Sequence, residues 1–253
     1  MRSATVMVLT AAVAALACVS ACSIPEKQLI DAAPAAKGPP FACFGQLPPT
    51  TANPQITITG NLIKAFSQET VPTAPIEVHA NNPDALITTI MTNSDGAFTY
   101  SQATARMPQD LFLRTAPPGF LETRYYPAAP IVRDLKTDVQ VLTTMDLATL
   151  AAVAGISIDT TKATFVVTVS DCNGDPVAGA MIATQPVARN MLYLANGRPS
   201  TTAVATDSFT GTAFAANVDI SSTTITATVG TMTLHRSPIA GAPGVIVQAE
   251  IQP

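Results

Sequence analysis

Residues 163–186 read ATFVVTVSDCNGDPVAGAMIATQP. A short run rich in Val and Thr comes first, then a polar turn containing Asn173-Gly174, then Pro176 and a second short apolar run. Asn-Gly supplies the positive φ of a tight turn. Proline, which lacks an N–H, is tolerated where a strand opens at a sheet edge. Short runs with period two, bounded by Gly, Pro, Asn and Asp, are strand and turn signals. The segment therefore predicts two β-strands around a turn and places the chain in the all-β class.

The same pattern extends in both directions. Downstream lie MLYLANGRP, STTAVATDSFTGTAFAANV, TTITATV, TMTLHRS and GVIVQAEIQ; upstream lie ITITGNLIKAF, PTAPIEVHA, ALITTIMT, NSDGAFTYS, DLFLRTA, FLETRYYP and DVQVLTTM. Between the two series, DLATLAAVAG at 146–155 predicts a helix, with Asp146 as N-cap, apolar Leu147, Leu150, Ala151 and Ala154, and Gly155 as the stop. The series also repeats itself. PTAPIEV at 72–78 and PVAGAMI at 176–182 share their spacing, and each precedes a Thr-to-Gly-to-Phe element, TNSDGAF at 92–98 and TDSFTGTAF at 206–214. Two copies of one unit account for this, giving two tandem antiparallel β-sandwiches with Phe98 and Phe214 facing their cores. A composition rich in Thr, Val, Ala and Pro, with 21 Pro, 13 Gly and no Trp, agrees with short strands joined by turns.

Val169-Ser170-Asp171, Asn173-Gly174, Pro176-Val177, Gly179-Ala180 and the 206–214 element together resemble the carboxypeptidase regulatory-like domains, small transthyretin-like sandwiches of exported bacterial proteins. The first copy keeps Gly60, Pro72, Val78 and Asp95-Gly96-Ala97-Phe98, but carries Pro75-Ile76 where the second has Gly179-Ala180. The resemblance implies modules that brace, space or dock other modules and are not catalytic alone. The expected organisation is a signal peptide at 1–21, a Pro-rich tether at 22–54, a sandwich at 55–145, a helical connector at 146–159 and a second sandwich at 160–253.

Near the start, one positive charge at Arg2 precedes an Ala/Val/Leu/Met run that exits through small residues. A membrane span needs about 20 strongly apolar residues, whereas a charged start, a short apolar middle and a small-residue exit describe an export signal. Val19-Ser20-Ala21-Cys22 resembles the bacterial lipoprotein box. That resemblance implies diacylglyceryl transfer to the Cys22 thiol, cleavage before Cys22 and acylation of the new amino group. Several acyl chains on one residue anchor a protein durably, at about 0.8 kcal/mol per buried methylene. Ser23 occupies the position where inner-membrane lipoproteins carry Asp, which points to the outer membrane, at its periplasmic face or the cell surface. The tether follows, with Pro25, Pro34, Pro39, Pro40, Pro48, Pro49 and Pro54. Its end, carrying Phe41, Cys43 and Phe44, is expected to dock on a domain.

Cleavage removes Arg2 and no acid, so the formal charge falls from −4 to −5. With 12% charged residues and no basic run, nucleic acid is excluded as a partner. A nucleophile triad needs a histidine within reach of Ser or Cys, and both histidines, His79 and His235, alternate onto outward faces of strands. No G-x-S-x-G, H-E-x-x-H or Walker motif occurs, zinc finds no ligand cluster, and no cofactor is implied. The oxygens of Asp171, Asn173 and Asp175 fall short of the six to eight that calcium prefers, so DCNGD reads as a hairpin turn.

Cys43 and Cys172 remain once Cys22 is acylated. In an oxidising compartment they form a bridge, or Cys172 is a buried free thiol acting as a small apolar residue. Arg124, Tyr125 and Tyr126, with Glu122, form the aromatic and charged cluster of the first half and are candidate ligand contacts, with one Tyr facing in and the other out. The primary reading is a non-catalytic, lipid-anchored envelope protein serving a structural, spacing or protein-binding role. The alternative is a carbohydrate- or peptide-binding receptor or adhesin whose site involves LANGRPS at 194–200. A remote alternative is a hydrolase using strand-mounted acids such as Glu77 and Glu122. Expected partners are the membrane, through the lipid, and an envelope protein or glycan.

Overall fold

A computed structural model describes residues 37–253; the lipoprotein box and Cys22 lie outside them. The first half runs β1 (Gln55–Lys64), β2 (Pro75–Asn81), β3 (Asp84–Met91), β4 (Ala97–Ala103), β5 (Leu111–Thr115), β6 (Thr123–Tyr126), β7 (Leu135–Lys136) and β8 (Val139–Val141). Helix α1 (Thr144–Ala154) follows. The second half runs β9 (Ala163–Val169), β10 (Met181–Gln185), β11 (Asn190–Ala195), β12 (Arg198–Ser200), β13 (Thr212–Val218), β14 (Ser222–Val229), β15 (Met232–Ala240) and β16 (Ile246–Ile251). The protein is all-β apart from α1. No helix among the described residues is long and apolar enough to cross a membrane.

The two halves share a sheet of nine strands, ordered β12-β11-β13-β9-β16-β6-β5-β2-β3. Its seam is β16, which pairs in parallel with β6 on one side and β9 on the other. A small sheet, β4-β1-β7 with β8 also on β1, belongs to the first half, and another, β10-β14-β15, to the second. Strand alternation puts these two sheets on opposite faces of the large one. Leu111 and Leu113 of β5 join the core with Ile56, Ile58 and Leu62 of β1, while Phe112 between them joins the core with Ile225 and Leu234 of the other small sheet. Each half is a sandwich that uses a different face of one shared layer, and full burial of each such aliphatic or aromatic side chain contributes about 1.5–3 kcal/mol.

Shared burial explains two departures from the sequence reading. His79 and Glu77 do lie on one face of β2, but that face is covered. His79 is buried, stacks on Phe112 with ring centroids 4.9 Å apart, and bonds the carboxylates of Asp84 at 2.7 Å and Glu77 at 3.1 Å. Phe112 stacks in turn on Tyr126 at 4.8 Å. Tyr125 and Tyr126 do point to opposite faces, yet both are buried, because β6 has a core on each side. His235 is exposed.

The two copies are more alike in hydrogen bonding than in sequence. In the first, Thr92 Oγ1 donates to Val71 O and accepts from Ala74 N, both at 2.9 Å. In the second, Thr206 Oγ1 donates to Val177 O at 2.6 Å and accepts from Ala180 N at 3.0 Å. Around each threonine the same main-chain bonds recur: Leu62 N to Gly96 O and Val71 N to Leu62 O in one copy, Val169 N to Gly211 O and Val177 N to Val169 O in the other. Thr73, at φ 51°, stands where the second copy has Gly179, at φ 77°. Thr70, not Pro72, therefore matches Pro176, so the sequence pairing is displaced by two residues, a slip that preserves faces. Counting from Gly96 and Gly211, the counterpart of Phe98 is Ala213. Phe214 is buried on the opposite face, in the cluster that α1 covers. Thr92→Val and Thr206→Val should each destabilise by about 2 kcal/mol, because each leaves a buried N–H and C=O unpaired; urea denaturation of the two variants would measure it. A cost in only one copy would mean that the motif is not equivalent in both.

Helix α1 begins one turn earlier than the sequence suggests. Thr143, not Asp146, is the N-cap, and Asp146 closes a capping box by accepting from Thr143 N at 2.8 Å. Gly155 ends the helix in the left-handed region, at φ 65°. Leu150 is buried against the large sheet with Leu192, Phe214 and Ile246, so the connector is part of the core.

Candidate functional site

On the face of the large sheet that carries α1, the apolar cover stops partway along the strands. Beyond it Glu250, Thr168 and Thr212 stand side by side across β16, β9 and β13. On the other face the same strands show only apolar residues, Val169, Ile251 and Ala213. This polar row floors a groove of about 730 Å³. One wall is the chain between β7 and β8 with the hairpin after β1, contributing Thr137, Asp138 and Phe66. The other is the β11–β12 hairpin tip with the loop before β13, contributing Asn196, Arg198 and Phe209.

Each wall is held by side-chain hydrogen bonds to the main chain. Gln248 of β16 clips β8 to the sheet: its Oε1 accepts from Gln140 N at 3.2 Å and its Nε2 donates to Gln140 O. Asp138 is tied to Asn61 N at 2.9 Å and Asn61 Nδ2 at 3.1 Å. Across the groove, Asp207 accepts from Asn196 N and, at 2.9 Å, from Thr210 N, fixing the hairpin tip against the loop that carries Phe209. Phe66 and Phe209 are 48% and 70% exposed.

At the inner end, Tyr125 is only 3% exposed, and its hydroxyl is buried without a hydrogen-bond partner. Thr137 and Glu250 are its polar neighbours. Burial raises the Glu250 carboxyl above its ordinary pKa, and the Arg236 guanidinium only partly offsets this. A carboxyl whose folded-state pKa is raised contributes stability that is complete below its unfolded value, about pH 4.3, and is lost as pH rises through the folded value. Glu250→Gln should therefore raise the melting temperature over wild type at pH 8 and lose that advantage by pH 4. A melting difference independent of pH would show that the carboxyl titrates normally.

No His, Cys or Ser lines the groove; it offers threonine hydroxyls, the carboxyls of Asp138 and Glu250, amides, the cations of Lys136 and Arg198, and the rings of Phe66 and Phe209. Glu77 and Glu122 lie elsewhere, in a charge ladder across β2, β5 and β6. Glu122 bonds Arg114 and Arg124, each at 2.9 Å, and Glu77 lies 3.5 Å from Arg114. Burial would raise Glu122, but the two guanidiniums outweigh it and hold the carboxyl below its ordinary pKa. Of the cluster Arg124, Tyr125 and Tyr126, only Tyr125 borders the groove. Of LANGRPS, Leu194, Asn196, Gly197 and Arg198 do. Glu250 and Gln248 were not singled out from the sequence. Their signal was VQAEI, where two polar residues alternate on one face of an otherwise apolar strand.

Cys43 and Cys172 form a disulfide with Cα atoms 5.8 Å apart. Cys172 N also donates to Pro40 O at 2.8 Å, Asn173 Nδ2 to Gly38 O at 3.0 Å, and Lys37 pairs with Asp175. Phe41 packs against the second-half core, whereas Phe44 is exposed. The Asp171 carboxylate is occupied by the turn, accepting from Asn173 N and Asp175 N. Among the described residues, no three His, Cys, Asp or Glu are grouped to hold a metal.

No protein-family model matches the chain, and no curated protein matches it in sequence. Solved structures give weak likenesses. Catechol 1,2-dioxygenase from Acinetobacter sp. ADP1 is 12% identical, over 39% of this chain and 55% of that one, with a TM-score of 0.27. The TIE protein of Bacillus anthracis is 11% identical over 79% and 34%, with a TM-score of 0.28. The shaft pilin SpaA of Lactobacillus rhamnosus GG is 11% identical over 80% and 97%, with a TM-score of 0.25. The chain spans about half the length of the first of these and a third of the second. Scores this low carry no argument about function.

Proposed function

We propose that the chain is a non-catalytic binding protein, lipid-anchored through Cys22 at the outer membrane of a bacterial envelope, with two halves of carboxypeptidase regulatory-like type that present the groove. The observation that carries the binding role is the groove itself: a polar row interrupts a buried sheet face and two exposed aromatics flank it. The anchor rests on the lipoprotein box and the export signal before it.

Two measurements test this. Mass spectrometry of the mature protein should find an acylated Cys22 at the N-terminus, and Cys22→Ser should move the protein from the membrane to the soluble fraction. Unchanged membrane attachment of that variant removes the anchor. A photo-cross-linking residue at Gln68, on the groove, should capture an envelope component from intact cells. A purely spacing role predicts capture nowhere in the groove.

A further inference from the structure

We infer that the groove takes a neutral saccharide, its rings lying on Phe66 and Phe209 and its hydroxyls meeting Tyr125 and the Glu250-Thr168-Thr212 row; this rests on the binding reading above. The walls and floor carry Lys136 and Arg198 against Asp138 and Glu250. Charges of both signs give no field that would select a phosphate or a polyacid. The strands of the floor are interior to the sheet and paired on both sides, so they present side chains alone. An extended peptide gains affinity by pairing with an open strand edge, and the floor has none. A sugar ring suits it: C–H faces settle on exposed aromatic rings, and a close-set row of hydroxyls and a carboxyl exchanges hydrogen bonds with sugar hydroxyls. The volume of about 730 Å³ falls within the range of small-molecule sites, about 300–1,000 Å³.

Tyr125 points to the same occupant. A buried hydroxyl left unbonded is costly and uncommon in native structures. This one belongs to the groove lining and is packed beside Glu250 and Thr137, and a ligand hydroxyl drawn in next to Glu250 supplies the missing partner.

The test uses the full-length lipoprotein in detergent micelles, titrated with cellohexaose, maltohexaose and chitohexaose and with an uncharged six-residue peptide. At least one saccharide should bind. Phe209→Ala and Tyr125→Phe should each weaken that binding by about 10-fold, the expected loss of a ring contact or a hydrogen bond to a buried partner. Tyr125→Phe should melt no lower than wild type, since it removes an unbonded group, which separates a binding defect from a folding defect. The proposal is overturned if none of the three saccharides binds, if the peptide binds more tightly than any of them, or if both variants bind as wild type does. If the saccharides fail while the Gln68 cross-linker still captures a protein, the binding role stands and the saccharide falls. If neither binds, both fall.

Discussion

Val247→Asp is expected to leave the protein unfolded or molten at room temperature. Val247 is 0% exposed and lies at the middle of the seam, opposite Arg124 on β6 and Phe165 on β9. Its side chain enters the core that joins Phe112 and Tyr126 of the first half to Phe165 and Ile251 of the second. The substitution forfeits about 1.5–3 kcal/mol of apolar burial and places a carboxyl in that core without a partner, a further cost of several kcal/mol. The sum is on the order of 5 kcal/mol or more, comparable with the whole stability of an ordinary domain. Val247→Ala, which only opens a cavity, should cost about 2 kcal/mol and serves as the control. Circular dichroism melting and tryptic digestion would follow both variants. If Val247→Asp melts like Val247→Ala, the two halves do not depend on the seam.

Removing the bridge between Cys43 and Cys172 should have the next largest effect. The two residues are separated by 129 positions, and closing a loop of that size restrains the unfolded chain by about 4–5 kcal/mol in the chain-entropy model. For a body of this size each kcal/mol moves the midpoint by about 2–4 °C, so the reduced protein or the double Cys43→Ser/Cys172→Ser variant should melt roughly 10–15 °C lower. Lys37 with Asp175 and Asn173 with Gly38 would remain, but exposed contacts of this kind contribute little. Equal melting with and without reductant would mean that the residues before β1 add nothing to stability.

Alternation made the strands legible, since ITITGNLIK, ATFVVTV and STTITATV each declare which residues share a face. It does not say whether a face meets water. His79 was read as facing outward, and one of Tyr125 and Tyr126 as exposed; all three are buried because β2 and β6 are interior strands with a core on either side. For β6 that pairing is completed by β16, more than a hundred positions away in sequence, and no local pattern announces it. The repeat was visible, but the matched residues lie two apart from the apparent alignment, because the shared element is a threonine bonded to two main-chain groups and Thr73 does the work of a glycine. For the site, LANGRPS and Tyr125 were legible as candidates. The floor was not, because Thr168, Thr212 and Glu250 come from three strands that are neighbours only in the folded sheet.

The position of β16 also sets an order of assembly. Every other strand among the described residues precedes it, so a polypeptide emerging N-terminus first has β6 and β9 available while the place between them stands empty. Until residues 246–251 arrive, each of those strands offers an open edge on which a chaperone or a second nascent chain can dock. A chain truncated before residue 246 should therefore be cut by trypsin at Arg124 on β6, where the intact sheet resists.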